Sequence, residues 1–371
     1  MGTVREKSKS GKRTAPELLT VLGKNGAVSK AKDPGIETET LLRIYRGMSF
    51  IRKLDERMLL MQRQGRIGFW GPTKGQEAAT IASAAAFEDR DWIFPALREA
   101  GAALYRGLPL KDMFSQIFGN ALDRTHGRQM PCHYSFPEGN FHAMSSVIGT
   151  QVPHAVGAAM AAKIKGDDVV MAGYLGDGAT SSTDFHAAMN FAQVFRAPCV
   201  LICQNNHWAI SVPLSKQTAS ETIAQKAVAY GMEGVRVDGN DALAVFAATR
   251  RAIEKARAGD GPTFLELVTY RVLGHSSSDD ASRYRDESEV AEWEAKDPIN
   301  RLRAHLDKLS AWDDELEEEM DGEIQAEIAQ AVRDAEAGPP VDPETLITDV
   351  FAEVPAHLRE HLDRTMRDLG A

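Results

Sequence analysis

The first strong pattern along the chain is an amphipathic helix. Apolar residues recur at spacings of three and four over residues 41–64, which puts them on one face of an α-helix. Gly65 follows directly and is typical of a helix end. The pattern therefore predicts a helix over residues 41–64 with one buried face. The apolar positions are Leu41, Ile44, Tyr45, Met48, Ile51, Leu54 and Met58.

Beyond this helix the chain alternates between small-residue helical segments and short β-branched runs. Such alternation predicts an α/β fold, a parallel sheet with helices on both faces. In these sheets ligands bind beyond the carboxyl ends of the strands. The predicted helices are 76–87, 152–164, 183–195, 222–230 and 242–258, and the predicted strands are 169–174, 200–204, 235–237 and 264–269.

The pattern divides the chain into three parts. Residues 1–37 are rich in Lys and Arg with Gly and Ser between them, which predicts a flexible basic tail. An organellar targeting segment and a docking arm for another subunit are the open alternatives for this tail. Residues 38–300 form the predicted α/β domain. Residues 301–371 form a predicted helical extension, acidic and solvated over 313–337, whose last part packs on a partner.

Composition narrows the class of protein. The chain has 371 residues, of which 43% are hydrophobic, so it can bury a large core. A net charge of −10 without a cluster of Lys and Arg in the body argues against nucleic-acid binding. No apolar run is long enough for a membrane span, and the N-terminus lacks the apolar core of a secretory signal. We therefore expect a soluble protein. Cys132, Cys199 and Cys203 have no metal-ligand spacing, and two of them lie in or beside an apolar strand, which fits a reducing compartment.

The candidate chemistry lies at two predicted strand ends. Asp177, between Gly176 and Gly178, follows one apolar run, and Asn206 follows the next. Carboxylate and amide oxygens suit a small hard cation such as Mg²⁺, and the glycines let the backbone approach a phosphate closely. A single Gly-Asp-Gly is more often an ordinary turn. The pairing is more specific, because the interval has room for a loop, a helix and a second strand, and it predicts a diphosphate clamp.

On these residues the chain resembles alpha subunits of the decarboxylating component of 2-oxo acid dehydrogenase complexes. Segments 127–131, 176–181, 205–212, 237–241 and 274–285 all fit, so the resemblance covers residues 40–355. It implies a thiamine diphosphate-binding fold over residues 38–300, with thiamine diphosphate and Mg²⁺ as cofactors. It also implies oxidative decarboxylation of a 2-oxo acid, with acyl transfer to the lipoyl group of an acyltransferase component.

The resemblance further implies an α2β2 heterotetramer. In this family the Glu that protonates the aminopyrimidine ring of the cofactor belongs to a separate beta subunit, so the site lies between chains. The expected location is the cytoplasm, or the mitochondrial matrix if the source is eukaryotic.

The resemblance assigns the metal and cofactor contacts. Asp177, Asn206 and the backbone carbonyl of Trp208 are the implied Mg²⁺ ligands, and relatives usually have Tyr where this chain has Trp208. Arg98 is the implied diphosphate arginine, because a guanidinium offers a planar fork of donors; a surface ion pair is the alternative. The full implied cofactor set is Arg98, Ser146, Val147, Ile148, Gly176, Asp177, Gly178, Ala179, Thr180, Asn206, Trp208, Ala209, Ile210 and His275.

Two histidines are the candidate catalytic residues. His275 is the stronger acid-base candidate, since an unperturbed His changes charge near neutral pH. By resemblance it helps hold the diphosphate and assists transfer to the lipoyl group, while His133 lies near the substrate carboxylate. Without the family, each would more often be a structural His. Ser276 occupies a position that mitochondrial relatives phosphorylate. The implied substrate contacts are Phe69, Leu97, Met130, Pro131, Cys132, His133 and Ser146.

Several positions depart from the family pattern. Leu97 replaces a common Tyr, Ser182 a common Glu, and Val147 a Pro of a potassium-holding loop. The favoured substrate is a branched-chain 2-oxo acid of the 2-oxoisovalerate type, with pyruvate and acetoin as alternatives. A catalytically silent scaffold subunit is the alternative outside enzymes. A metal-dependent phosphate hydrolase is disfavoured, because no second carboxylate cluster accompanies Asp177.

Overall fold

The computed structural model describes residues 15–29 and 32–369. Its centre is a six-stranded parallel sheet with the order β1-β7-β8-β4-β3-β2. A short antiparallel hairpin of β5 and β6 follows β4. The strands are β1 (Leu18–Leu19), β2 (Trp92–Phe94), β3 (Met171–Gly176), β4 (Cys199–Asn205), β5 (Trp208–Ala209), β6 (Val212–Pro213), β7 (Glu233–Asp238) and β8 (Thr263–Val268).

Helices surround this sheet, so the predicted α/β class is confirmed. They are α1 (Thr38–Arg63), α2 (Glu77–Ala85), α3 (Ala100–Tyr105), α4 (Leu110–Phe118), α5 (Gln151–Lys165), α6 (Thr183–Val194), α7 (Ala242–Arg257), α8 (Glu287–Glu294), α9 (Pro298–Lys308), α10 (Asp314–Glu336), α11 (Thr345–Thr348) and α12 (Ala356–Leu369). No helix in the described ranges is long and apolar enough to cross a membrane.

Alternate residues of the central strands enter two different hydrophobic cores. Val200 and Ile202 of β4 face the core built by α1, α2 and α7, whereas Leu201 and Cys203 face the core of α5 and α6. Successive side chains of a strand point to opposite faces of a sheet. Both faces of the sheet are therefore buried, which explains why these strands form continuous apolar runs in the sequence.

Most of the predicted elements are present with shifted ends. The predicted helices at 41–64, 76–87, 152–164, 183–195 and 242–258 correspond to α1, α2, α5, α6 and α7. The segment predicted as a helix over 222–230 is instead a 3-10 helix over Ala224–Tyr230. Strand β2 and helix α3 were missed because three and six residues are too short to produce a periodic pattern.

Part of the predicted flexible tail is ordered. Strand β1 extends the sheet by pairing with β7. Asp241 Oδ2 accepts hydrogen bonds from the backbone N–H groups of Val21 at 2.7 Å and Leu22 at 2.6 Å, and Arg301 Nη2 donates to Leu22 O at 2.6 Å. The tail prediction is therefore wrong for this stretch, where apolar residues lie among the basic ones. Residues 1–14 and 30–31 lie outside the described residues.

The acidic helix α10 belongs to the main core. Met320, Ile324, Ile328 and Val332 recur at spacings of four and are buried against α1 and α4. The charged residues around this stripe form the predicted solvated face over 313–337, but they conceal the stripe in the sequence, so the buried face was not predicted. This part of the C-terminal extension shares the core of the preceding α/β region.

Candidate active site

Two polar side chains meet where β3 and β4 end. Gly176 of β3 is the register partner of Gln204 of β4, and Asp177 and Asn206 follow within two residues of that pair. Both side chains are buried, with exposed fractions of 1% for Asp177 and 5% for Asn206. The predicted meeting of acid and amide at the carboxyl edge of a parallel sheet is present in the structure.

Gly178 allows the turn after β3 to approach the hairpin. Asp177–Ser181 form a 3-10 helix, and a Cβ atom at Gly178 would lie 2.7 Å from the Cβ of Ala209 in β5. Any side chain at this position would displace the hairpin. The glycine therefore serves a close approach of two backbones around the site.

Asp177 is a buried carboxylate without a cationic partner among the described residues. Its Oδ2 accepts a hydrogen bond from Gln217 Nε2 at 2.6 Å, and no Lys or Arg of the described chain forms an ion pair with it. Burial raises the pKa of Asp177. A buried charge of this kind is stabilised by a cation, so the donor chemistry fits a hard divalent ion.

Asn206 and Trp208 are held so that oxygen atoms remain available. Asn206 Nδ2 donates to Gln76 Oε1 at 2.9 Å, and Asn206 Oδ1 accepts from the backbone N–H of Trp208 at 3.1 Å. That amide oxygen keeps a second lone pair. The Trp208 side chain packs with Tyr270 and Val272, so the residue can offer the site only its backbone.

Arg98 is a buried cation without a carboxylate partner in the described part of the chain. Its Nη1 donates to the carbonyl of Pro72, and its Nη2 donates to the carbonyl of His275 at 2.9 Å. Burial and the nearby Arg271 lower the pKa of Arg98 to about 10, so it stays charged at neutral pH. The surface ion pair considered from the sequence is excluded. An anionic oxygen in the adjoining cavity would complete the environment of this guanidinium.

A hydrogen-bond network fixes the loop that carries His275. The His275 N–H donates to Asp279 Oδ2 at 2.6 Å, and the Tyr284 hydroxyl donates to the same oxygen. Arg271 Nη2 donates to the Tyr284 hydroxyl and to the carbonyl of Ile210, both at 2.7 Å. Ile210 has a positive φ of 55°, which is strained for a β-branched residue. The network therefore joins the His275 loop to the end of the β5 hairpin.

His275 is neutral in this environment. Burial, together with the positive charges of Arg98 and Arg271, lowers the pKa of His275 to about 4. The expectation that His275 changes charge near neutral pH, which rests on the pKa of an unperturbed His, is therefore corrected for this buried position. At neutral pH its ring offers one donor and one acceptor nitrogen.

Replacing Tyr284 by Phe should loosen this loop. The hydroxyl bridges Arg271 and Asp279, and removing such a hydrogen bond costs about 1 kcal/mol of local stability, a roughly fivefold change in opening. We expect faster amide deuterium uptake over residues 274–284 in Tyr284→Phe. Tyr105→Phe is the control, because Tyr105 contacts the guanidinium of Arg43 through its ring, which Phe retains. Equal uptake in the wild type and Tyr284→Phe would contradict a role for the bridge.

A cavity of about 510 Å³ lies between the strand ends, the His275 loop and a largely apolar wall. His133 borders it, with Nδ1 3.1 Å from the carbonyl of Pro131 and Nε2 against Ser146 Oγ. Because a carbonyl only accepts, Nδ1 carries the proton and Nε2 accepts from Ser146. The apolar wall consists of Phe69, Ala96, Leu97, Met130, Met144 and Ile148.

Most residues predicted for the site border this one cavity. Four do not. Val147 is exposed, Pro131 and Cys132 do not line the cavity, and the hydroxyl of Thr180 accepts a hydrogen bond from Lys226 Nζ at 2.7 Å. The predicted residues that line the cavity are Phe69, Leu97, Arg98, Met130, His133, Ser146, Ile148, Gly176, Asp177, Gly178, Ala179, Asn206, Trp208, Ala209, Ile210 and His275.

Five polar residues in the wall are not among the predicted site residues: Gln76, Glu99, Ser145, Gln151 and Gln204. Gln76 begins the segment that leads into α2, Glu99 precedes α3, and Gln204 lies two residues before Asn206. The position of Gln204 at the end of a buried strand could have suggested it. Gln76 and Glu99 come from distant segments and carry no local motif.

Comparison with known proteins gives the family. Residues 45–344 match the sequence profile of the dehydrogenase E1 component. The chain is 40% identical over 354 residues to the mitochondrial 2-oxoisovalerate dehydrogenase subunit alpha of Bos taurus, covering 95% of this chain and 78% of the relative. It is 44% identical over 337 residues to the 3-methyl-2-oxobutanoate dehydrogenase subunit alpha of Mycobacterium tuberculosis (strain ATCC 25618 / H37Rv), covering 90% and 88%. Since these matches span most of both partners, the chain belongs to the dehydrogenase E1 component family.

Proposed function

We propose that this chain is the alpha subunit of a branched-chain 2-oxo acid dehydrogenase. Its reaction is the oxidative decarboxylation of a 2-oxoisovalerate-type acid, with transfer of the acyl group to the lipoyl group of an acyltransferase component. The observation that carries the proposal is one cavity bordered by a buried carboxylate, Asp177, and a buried guanidinium, Arg98, neither of which has an ion-pair partner among the described residues. A cation and an anion together satisfy these two groups, as a metal-bound diphosphate does.

The E1 component family implies thiamine diphosphate, and we propose Mg²⁺ as its metal. Asp177, Asn206 and the carbonyl of Trp208 would supply metal oxygens, and Arg98 would bind the diphosphate. Gly176, Gly178 and Ala179 border the same space, where backbone groups can approach phosphate. When bound, thiamine diphosphate supplies the electron sink that makes loss of carbon dioxide possible.

The remaining cavity residues orient the substrate. His133 and Ser146 form a polar pair beside the apolar residues of the wall, so they are the proposed contacts of the substrate carboxylate. The wall of Phe69, Leu97 and Ile148 favours an aliphatic side chain and excludes water around the reacting atoms. His275, neutral and held by Arg98 and Asp279, is the proposed donor or acceptor during acyl transfer.

The beta subunit is the proposed cover of this cavity, in an α2β2 assembly. Met130, Val147, Ile148 and Ile210 are exposed apolar residues in or beside its wall. Exposed apolar residues around a binding site are typical of a surface that a partner covers. Location in the cytoplasm, or in the mitochondrial matrix for a eukaryotic source, belongs to the same proposal.

A substrate panel tests the proposed reaction. The chain is co-expressed with its beta subunit, and decarboxylation is measured with thiamine diphosphate, Mg²⁺ and an artificial electron acceptor. We expect higher kcat/KM for 2-oxoisovalerate and other branched acids than for pyruvate, because the wall is apolar. A preference for pyruvate or acetoin would contradict the assignment of a branched-chain substrate. Turnover of none of them, by a complex shown to hold the cofactor, would favour a catalytically silent subunit.

A further inference from the structure

One buried carboxyl group in the cavity wall has no part in the function proposed above. Glu99 is 2% exposed and lies next to Arg98 in the sequence and in the wall. Gln204 Nε2 donates to its Oε1 at 2.8 Å, and its Oε2 has no hydrogen-bond partner within the described residues. We propose that Glu99, as a neutral acid, donates a hydrogen bond from Oε2 to an oxygen of the bound diphosphate. This inference rests on the proposed function.

The surroundings of Glu99 favour the neutral acid. No Lys or Arg of the described residues forms an ion pair with Glu99, because the guanidinium of Arg98 is directed to the carbonyls of Pro72 and His275. The other titratable groups that interact electrostatically with Glu99 are the buried phenols of Tyr134 and Tyr174, and Tyr134 in turn interacts with Cys132 and Asp55. Burial raises the pKa of Glu99 to about 7, although the backbone N–H of Ala96 and the charge of Arg98 act against this.

Unpaired polar atoms in the wall indicate what the acid would bind. Oε2 of Glu99 and Nε2 of Gln76 are both buried without partners in the described chain, and each can donate to a phosphate oxygen, Oε2 when it carries the proton of the acid. Buried polar groups normally find partners, so a ligand is expected to satisfy them. An ionised Glu99 would repel a diphosphate in this low-dielectric site, whereas the acid form adds a donor beside Arg98. Keeping a buried carboxylic acid neutral as a donor is a known device of enzyme sites.

The proposal fixes the direction of a pH effect on cofactor affinity. The diphosphate binds the protonated form and raises the pKa of Glu99 further, so binding takes up a proton. Titration of Glu99 should therefore leave the cofactor affinity nearly constant well below pH 7. At higher pH it should lower the affinity, with a slope that approaches about tenfold per pH unit. Asp55 also has a pKa near this range, raised to about 7, but three donors already satisfy its carboxylate.

The experiment compares wild type with Glu99→Gln in the complex with the beta subunit. Dissociation constants for thiamine diphosphate at saturating Mg²⁺ are measured by calorimetry between about pH 6 and about pH 8.5. Gln keeps a donor but cannot ionise, so the ratio of wild-type to variant dissociation constants should rise about fivefold from pH 7 to pH 8. Titration of the cofactor itself cancels in this ratio. Glu56→Gln, at an exposed position of α1, is the matched control and should follow wild type.

The outcomes separate this inference from the proposed function. A ratio that does not change with pH, in a wild type that binds the cofactor, would overturn the role of Glu99 and leave the function intact. Failure of the wild type to bind the cofactor at all would overturn the function. Inorganic pyrophosphate with Mg²⁺ should give the same pH-dependent ratio as the cofactor. A pH effect confined to the KM of the 2-oxo acid would reassign the donor to the substrate carboxylate and overturn the diphosphate contact.

A second variant keeps the test valid if Glu99→Gln does not fold. Gln204→Leu removes the amide that donates to Glu99 Oε1, and this bond favours the ionised form. The pH at which affinity begins to fall should therefore move upward in Gln204→Leu. An unchanged midpoint would overturn the assignment of the pH effect to Glu99.

Discussion

Asp177→Ala is expected to abolish measurable binding of thiamine diphosphate with Mg²⁺. The carboxylate is buried, no Lys or Arg of the described residues pairs with it, and its carboxyl-edge position faces the cavity. Removal of a charged ligand from a buried metal site should weaken binding by about a thousandfold, which corresponds to about 4 kcal/mol. Calorimetric titration of the complex with its beta subunit measures this loss directly.

The matched control for Asp177→Ala is Asp167→Ala. Asp167 is exposed after α5, near the amino end of β3, so it has the same charge at the opposite end of that strand. The control should bind the cofactor as the wild type does. The melting temperature without ligand should not fall appreciably in Asp177→Ala. Burial raises the pKa of Asp177, so its ionised form lowers the free energy of unfolding at neutral pH, and removing the carboxylate does not destabilise the fold. Undiminished cofactor affinity in Asp177→Ala would contradict the metal assignment.

Arg98→Met should have the second largest effect. The substitution removes a buried positive charge and leaves the carbonyls of Pro72 and His275 without their donor. Loss of a charge-assisted contact of this kind costs about 3 kcal/mol, so cofactor affinity should fall about a hundredfold. The loop of His275 should also exchange its amides faster, because its carbonyl anchor is gone.

Arg98→Lys separates charge from geometry. An ammonium keeps the charge but lacks the planar fork that reaches two carbonyls at once, so affinity and loop protection should lie between those of wild type and Arg98→Met. Arg63→Met, at the exposed C-terminus of α1, is the control and should behave as wild type. Wild-type affinity in Arg98→Met would show that the guanidinium does not bind the diphosphate.

Features carried by local sequence were predictable. The strands β3 and β4 are apolar on both faces, so their ends were visible, and with them the meeting of Asp177 and Asn206. The stripe of α1 was visible because its apolar positions follow the helical repeat without interruption. In both cases one short segment contains the whole signal.

Features assembled from distant segments were not predictable. Asp55 in α1 accepts from Trp70 Nε1 at 2.7 Å and from the N–H groups of Thr73 and Lys74, and so shapes the loop that holds Arg98. Glu99 and Gln204 meet only in the folded chain. The depressed pKa of His275 likewise depends on its burial and on two arginines that tertiary structure brings near it. Such contacts arise from packing between elements, whereas hydrophobic periodicity gives information only on local secondary structure.

The central claim is most directly tested by release of carbon dioxide from 2-oxoisovalerate by the complex of this chain with its beta subunit. The rate is measured with thiamine diphosphate, with and without Mg²⁺, and for wild type beside Asp177→Ala. We predict metal-dependent turnover that exceeds turnover of pyruvate and is lost in the variant. Absence of turnover in a wild-type complex that demonstrably holds the cofactor, or full turnover by Asp177→Ala, would contradict the proposed function or its metal site respectively.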